Sequence, residues 1–308
     1  MSSPTRRSSL ALRRQTVPWL FVAPAVLFFV AFLVIPIGYA VYLSVRGQRL
    51  SGTGAFARPE EAFVGLSNYA AALSDPVLLS GLGRVLLYGA VAIPSTLGLA
   101  LLFALLIDSP ATRMRRFSRT AIFLPYAVPG VIASLLWGFL YLPSTSPVSY
   151  LSRQLGGGSL DFLSYPTLYF AIANIALWSG VGFNMIIIYT SLRSIPEEVY
   201  EAARIDGAGE LAIALRIKIP LVTPALVLTG LFSVIGTLQL YSEPTTLRPI
   251  ATTISTTWVP LMTIYQAAFA RGDLGYASAA SVLLAVATLV ISLVLLRFFA
   301  RRTFGDAS

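Results

Sequence analysis

The chain has 308 residues, of which 56% are hydrophobic and only 11% are charged, and its formal net charge is +9. A soluble domain carries roughly a quarter charged residues, so this chain could not bury its apolar side chains in one soluble core, and lipid is the expected solvent. The basic residues form short clusters rather than one patch, which argues against nucleic-acid binding. Because the chain has no cysteine and no histidine, disulfides, Ser-His triads and ordinary zinc sites are excluded, and no catalytic or metal-binding residue is predicted.

Apolar runs predict an all-α, polytopic membrane protein with six transmembrane helices. About 20 apolar residues in a helix are enough to cross roughly 30 Å of hydrocarbon. The first run is too long for the apolar core of a signal peptide and lacks a clear cleavage site, so we interpret it as a retained span. A basic N-terminal tail, residues 1–18, precedes it. The predicted spans lie near residues 19–44, 82–107, 120–142, 167–192, 220–242 and 276–300.

The distribution of basic residues predicts the orientation. If the N-terminus lies inside, the inner segments hold four, four, four and three Arg or Lys residues, whereas the three outer loops together hold six. This bias places both termini and the segment 193–219 in the cytoplasm. The outer loops, 46–81, 143–166 and 243–275, are rich in Gly, Pro, Ser and Thr and are predicted to form turns and short surface pieces. Arg84 is either a functional intramembrane charge or, as we favour, a side chain that snorkels to the outer interface.

A charged segment separates the fourth and fifth apolar spans. Residues 197–220, "EEVYEAARIDGAGELAIALRIKIP", contain eight charged side chains. Ser194 and Glu197 have the spacing of a capping box, which predicts a helix start. Asp206-Gly207 is expected to break that helix, because Gly207 can adopt a positive φ. A second helical run then leads to Pro220 at the start of the fifth span. The pattern predicts a helix–turn–helix at the membrane surface, although an ordinary solvated inner loop would have similar charges.

The same segment contains a recognisable motif. Glu201-Ala202-Ala203 is followed after three residues by Gly207, and after nine more by Ile217-x-Ile219-Pro220. This resembles the EAA signature, EAA-x3-G-x9-I-x-L-P, of permease subunits of bacterial ABC importers, with Ile219 in place of Leu. The run "SIPEEVYEAARIDGAGELAIALRIKIPLVTPAL" resembles the carbohydrate-uptake branch.

Other stretches extend the resemblance to roughly residues 20–300. "FVGLSNYAAALSDP", "LPYAVPGVIASLLWGF" and "AFARGDLGYASAASVLL" are similar to maltose/lactose/glycerol-phosphate type permeases, and to the first permease of the usual pair. The chain departs from the family at Gly83-Arg84-Val85, where Asn-Thr-Leu is frequent. It departs again at "SEPTTLRPIATTIS", where the family often has a Thr-x-Gly-Gly-Pro turn.

The resemblance implies a type I ABC importer transmembrane domain over residues 19–303, in a bacterial cell membrane. It implies a non-enzymatic permease subunit of an ATP-driven sugar importer, because the chain lacks a G-x-x-x-x-G-K-[ST] loop of its own. The implied partners are a second homologous permease, an extracytoplasmic sugar-binding protein and two copies of a cytoplasmic ATPase, which would bind ATP and Mg²⁺. Segment 193–219 would be the coupling loop that contacts the ATPase. The residues implied in coupling are Glu201, Ala202, Ala203, Asp206, Gly207, Ile217 and Pro220.

A path for sugar is expected in the fourth and fifth spans. "NIALWSGVGFNMIII" resembles the region where the maltose-type subunit holds its sugar. Polar groups inside spans often mark such paths, although hydrogen bonding between helices is the common alternative. The predicted substrate-path residues are Trp178, Ser179, Gly180, Phe183, Ser233, Thr237 and Gln239.

Two other classes of membrane protein are less well supported. An ion-coupled secondary transporter of a small polar solute would require intramembrane acids or ion-binding broken helices, but no predicted span core holds an Asp or Glu. An intramembrane enzyme would require a base or metal ligands at membrane depth, and none is evident.

Overall fold

A computed structural model describes residues 20–51 and 58–304 of the chain. The predicted basic tail, residues 1–18, lies outside these residues. Two antiparallel strands, β1 Arg46–Ser51 and β2 Arg58–Phe63, accompany the helices. The helices are α1 Leu20–Ser44, α2 Ser67–Ser74, α3 Pro76–Asp108, α4 Arg115–Phe123, α5 Gly130–Tyr141, α6 Pro147–Gln154, α7 Thr167–Arg193, α8 Glu197–Ile205, α9 Glu210–Leu221, α10 Thr223–Leu238, α11 Ser242–Leu247, α12 Pro260–Tyr265 and α13 Leu274–Phe304.

Four of the described helices are individually long and apolar enough to cross a membrane: α1, α3, α7 and α13. Two further candidates are bent pairs, one formed by Arg115–Ala127 with α5 and the other by α9 with α10. Six crossings result if each bent pair crosses once, which agrees with the six predicted from the apolar runs.

The third and fifth spans are not the single helices that the sequence predicts. The helices of the third span meet at 96°, because Pro129 forces Val128 into an extended conformation, with φ −80° and ψ 124°. The helices of the fifth span meet at 64° at Val222, just before Thr223-Pro224. Pro220 therefore lies in the last turn of α9, inside this bent pair, and does not mark the start of the fifth span.

The second span begins at Pro76, six residues before the predicted start. Pro76 suits the first helical turn, and the Asp75 carboxylate accepts a hydrogen bond from the Val77 amide at 2.8 Å. The segment before it contains the β1–β2 pair, which the all-α prediction omits. Arg, Glu, Pro and Gly are poorly represented in strands, so the composition of this hairpin gave no strand signal.

The chain is divided into two compact units, Met1–Ala72 with Ala267–Leu283, and Leu73–Gln266 with Leu284–Ser308. In the first unit, the Asn68 amide donates hydrogen bonds to the carbonyls of Ser44 and Arg46, at 2.9 and 2.7 Å. A Cβ at Gly275 would lie 2.3 Å from the Arg46 carbonyl oxygen, so this position requires glycine. The motif stretches "GLSNY" and "GDLGYAS" therefore meet at the end of α1.

The second unit is organised around the contact between α3 and α7. Small residues of α3, Ala100 and Ala104, are fully buried in the same cluster as Met185 and Ile188 of α7. Small residues allow such helices to approach closely in a membrane. The same principle applies at Gly182, where a Cβ would lie 2.3 Å from the Ile122 carbonyl oxygen.

We predict that Gly182→Ala destabilises the protein, because the new methyl group would press on the backbone of α4. Overpacking of this kind costs about 1–3 kcal/mol, and the unfolding temperature of the purified protein should fall accordingly. The matched control is Gly98→Ala, since a Cβ at Gly98 in α3 meets nothing within 4 Å. Equal unfolding temperatures for the two variants would contradict the close contact at Gly182.

Candidate functional site

The charged segment forms the predicted helix–turn–helix. Helix α8 ends at Ile205, and Gly207 follows with φ +83°. The amide of Ala208 donates to the Ala203 carbonyl, and the amide of Gly207 donates to the Arg204 carbonyl. These two bonds form a Schellman motif, in which glycine is favoured because its φ is positive. The predicted helix break at Asp206-Gly207 is confirmed.

The start of α8 differs from the prediction. Pro196 is the N-cap residue, and the Ser194 hydroxyl donates instead to the Ser191 carbonyl at 2.7 Å. The predicted capping box of Ser194 and Glu197 is therefore wrong. Ser194 has helical dihedral angles and continues the end of α7. Pro196, with ψ 140°, is extended and separates α7 from α8.

The exposed surface of this segment combines acidic and apolar groups. Glu201, Ala202, Asp206 and Gly207 are exposed, whereas Ala203 is half-buried. Ile205 and Leu211, on either side of the turn, are 86% and 73% exposed. Large exposed apolar side chains beside charges are typical of a surface that contacts another protein.

Arg204 joins the two helices of the segment through ion pairs. Its guanidinium lies 3.6 Å from Glu197 and 3.3 Å from Glu210. Among the described residues, Glu201 and Asp206 make no ion pair, so their carboxylates face outward without an internal cation. Of the two remaining motif residues, Ile217 is half-buried in a π-helical turn, Ala214–Lys218, and Pro220 is exposed.

The inner face of the segment is fastened to α3 by a buried ion pair. The Lys218 ammonium lies 2.6 Å from an Asp108 carboxylate oxygen, and these side chains are 8% and 4% exposed. Arg193, at the end of α7, lies 3.9 Å from the other Asp108 oxygen. The Lys218 ammonium also lies 4.9 Å from the centre of the Tyr200 ring of α8. Burial and the Asp108 charge raise the pKa of Tyr200, so this phenol stays neutral.

Sequence analysis did not identify this cluster, because its members come from four helices. The signals available were an aspartate at the last residue of a span and the single lysine of the chain, placed inside the motif.

A cavity of about 520 Å³ lies in the second unit, between α3, α7, α10, α11 and the bend before α5. It contains six of the seven predicted substrate-path residues; their role in transport stays a prediction. They are Ser179, Gly180, Phe183, Ser233, Thr237 and Gln239.

Trp178 does not line the cavity. It packs on the hydrophobic core, and its ring meets Trp137 of α5 edge to face, with centroids 6.2 Å apart. The next residue, Ser179, is rotated by about 100° around α7 and faces the cavity instead.

The cavity wall has aromatic faces and unpaired polar atoms. Tyr126 stacks on Phe183 with ring centroids 4.9 Å apart, and Phe232 lies 6.3 Å from Phe183. The oxygens of Ser179 and of the Asn184 side chain are buried, and neither has a hydrogen-bond partner among the described residues. Buried polar atoms are usually satisfied, so these two are suited to a bound solute or water.

Six polar residues of this wall were not among the predicted path residues: Tyr88, Thr96, Tyr126, Asn184, Ser242 and Glu243. Asn184 lies four residues after the predicted path residue Gly180, a spacing that places both on the same face of α7. Glu243 lies just beyond the predicted end of the fifth span, where an acidic residue gave no sign of facing the interior.

Comparison with known proteins assigns the family. Residues 96–304 match the family described as "Binding-protein-dependent transport system inner membrane component". This chain belongs to that family. The chain is 30% identical to the probable ABC transporter permease protein YurN of Bacillus subtilis (strain 168), over 93% of this chain and 97% of YurN. It is 28% identical to the sn-glycerol-3-phosphate transport system permease protein UgpA of Salmonella typhimurium, over 93% of this chain and 95% of UgpA.

Two solved structures share the fold of this permease. One is a bacterial ABC transporter involved in the import of the acidic polysaccharide alginate, with a TM-score of 0.80 and 22% identity over 96% of this chain and 99% of that chain. The other is a bacterial alginate ABC transporter in complex with an alginate pentasaccharide-bound periplasmic protein, with a TM-score of 0.81 and 21% identity over 97% and 99%. The resemblance to ABC importer permeases and the predicted transmembrane fold are confirmed.

We predict that Lys218→Met destabilises the permease strongly, because it leaves the Asp108 carboxylate buried without its closest cation. Breaking a buried pair by removing one partner costs about 3–5 kcal/mol. The measurement is the unfolding temperature of the purified permease in detergent.

Arg216→Met is the matched control, since Arg216 is exposed in the same segment and should change stability by less than about 0.5 kcal/mol. Adding Asp108→Asn to Lys218→Met should restore part of the loss, because the unpaired charge disappears. A Lys218→Met variant as stable as Arg216→Met would contradict the ion pair.

Proposed function

We propose that this chain is the sugar-conducting permease subunit of an ATP-driven importer in a bacterial cell membrane, and that segment 193–219 couples it to a separate ATPase. Membership of the family supports transport that depends on a binding protein. The names of the relatives and solved neighbours support a carbohydrate-type cargo, since they include transport of glycerol phosphate and import of alginate.

The observation that carries the proposal is the exposed face of the helix–turn–helix. Ile205 and Leu211 project from a polar segment that the lipid-crossing helices do not cover, beside the unpaired carboxylate of Glu201. On this proposal a basic group of the ATPase pairs with Glu201, and Ala202 and Ala203 permit close packing. ATP and Mg²⁺ bind to two copies of that ATPase rather than to this chain, which has no phosphate-binding loop.

The distribution of Arg and Lys supports an orientation with both termini and the coupling segment in the cytoplasm. The cavity then belongs to a path that this chain shares with a second, homologous permease. An extracytoplasmic binding protein delivers the sugar, as the periplasmic protein in the alginate complex suggests. The alternative of an ion-coupled transporter has less support, because the family is defined by dependence on a binding protein.

The contacts of the segment supply a route for coupling. Helix α8 is tied through Tyr200 and Lys218 to Asp108, and α3 continues from Asp108 to the cavity residues Thr96 and Tyr88. A rigid displacement of the segment by the ATPase therefore moves a wall of the cavity, which is the kind of element that alternating access needs.

We predict that Gly207→Val abolishes the association with the ATPase without preventing membrane insertion. A β-branched residue is strained at φ +83°, so the turn and the exposed face would be displaced. The measurement is the amount of ATPase subunit that co-purifies with the tagged permease from membranes.

Two controls separate backbone strain from bulk. Gly207→Asn should retain the ATPase, because asparagine tolerates this conformation. Gly209→Val should retain it as well, because Gly209 has φ −74° and a Cβ there meets nothing within 4 Å. Normal ATPase recovery with Gly207→Val would show that the turn is not part of the coupling surface.

A further inference from the structure

The cavity contains a single charged side chain among the described residues that line it, the carboxylate of Glu243. Glu243 lies in the first turn of α11 and is half-buried. It makes no ion pair within the described part of the chain. Burial raises the pKa of the Glu243 carboxyl. A positive or hydrogen-donating group placed beside this carboxyl would stabilise its ionised form.

No Arg or Lys is among the described residues of the cavity wall. The nearest basic residue along α3 is Arg84, one turn before Tyr88. Its guanidinium donates to the Trp258 carbonyl at 2.9 Å and does not line the cavity. Among its described residues, the wall that this chain contributes therefore offers a carboxyl group and no cation that could neutralise a bound anion.

The other polar groups of the wall are neutral and suit hydroxyl groups. Asn184 is 6% exposed, and its amide nitrogen donates to the Gly180 carbonyl at 2.9 Å, which leaves its oxygen free to accept. The Ser179 hydroxyl can donate and accept. The rings of Tyr126, Phe183 and Phe232 supply apolar faces against which the C–H face of a sugar ring can pack.

The named cargoes of two similar proteins carry negative charge. UgpA belongs to a transport system for sn-glycerol-3-phosphate, and one solved neighbour imports an acidic polysaccharide. A second anion a few ångströms from Glu243 in a partly desolvated cavity would be repelled strongly enough to weaken binding by about tenfold or more.

We infer that this cavity binds a hydroxyl-rich solute that is neutral or carries an amino group, and that Glu243 discriminates against carboxylated and phosphorylated sugars. The inference rests on the proposed function, since it assumes that the cavity is part of the sugar path. Asn184 and Ser179 recognise hydroxyl groups, and Glu243 accepts a hydrogen bond from a hydroxyl or an ammonium group.

The test uses the purified complex of this permease with its partner permease and ATPase. The probes are three trisaccharides of similar size: cellotriose, which is neutral, the fully deacetylated chitosan trimer, which is cationic, and trigalacturonate, which is anionic. Each is titrated to millimolar concentration at neutral pH and fixed ionic strength, and the rise in unfolding temperature reports binding. We expect the neutral or the amino trisaccharide to bind about tenfold or more tightly than trigalacturonate.

The Glu243→Gln variant removes the charge but keeps the shape of the side chain. It should reduce the ratio of the affinity for the amino trisaccharide to the affinity for trigalacturonate by about tenfold. The affinity for cellotriose should change little. Glu60→Gln, a change at an exposed position of β2 outside the cavity and the coupling segment, is the matched control and should leave all three affinities unchanged.

The outcomes separate this inference from the proposed function. If trigalacturonate binds as tightly as the other two, or if Glu243→Gln leaves the ratios of the three affinities unchanged, the charge selectivity is overturned. The sugar path stands in either case. If none of the three trisaccharides binds, the proposed sugar path itself fails, and the inference fails with it.

Discussion

The buried ion pair between Asp108 and Lys218 is the constraint on which the mechanical account depends. Removing either side chain would destabilise the fold, because an unpaired buried charge is strongly unfavourable. The pair joins the last residue of a membrane-crossing helix to a residue near the C-terminal end of the EAA motif, and Arg193 and Tyr200 bring the end of α7 and the helix α8 to the same point. The polar segment is thereby held as part of the second unit rather than as a loosely attached loop.

The cavity is formed by the same helices that this cluster joins. Helix α3 extends without interruption from the cavity residue Tyr88 to Asp108, and α7 extends from Ser179 to Arg193. Val128, at the bend before α5, lines the cavity, and α5 and α10 each diverge from the helix that precedes them, by 96° and 64°. A displacement of the helix–turn–helix would therefore be transmitted along two continuous helices, whereas the two bent spans offer the places where the bundle can deform.

The sequence was informative wherever one local rule decided the structure. Long apolar runs located the spans because a helix needs that length to cross lipid, and Gly207 located the turn because of its positive φ. Ser179 and Phe183 were found at the cavity because they share a helix face. Trp178, which is adjacent in sequence, faces α5. Only the packing of α7 against its neighbours decides which of its faces lines the cavity and which is packed on other helices. The pair of Asp108 and Lys218 is separated by 110 residues, so no local pattern could reveal it.

The most direct test of the central claim is the distance between α3 and α8 in two nucleotide states. This chain has no cysteine, so cysteines introduced at Leu106 and Glu198, both exposed, can be spin-labelled on the purified permease before it is assembled with its partners. Pulsed electron paramagnetic resonance on the assembled transporter would measure this distance with and without bound ATP. The account predicts the same distance in both states, because the ion pair makes the two helices move together. A distance that changes when ATP binds would contradict it.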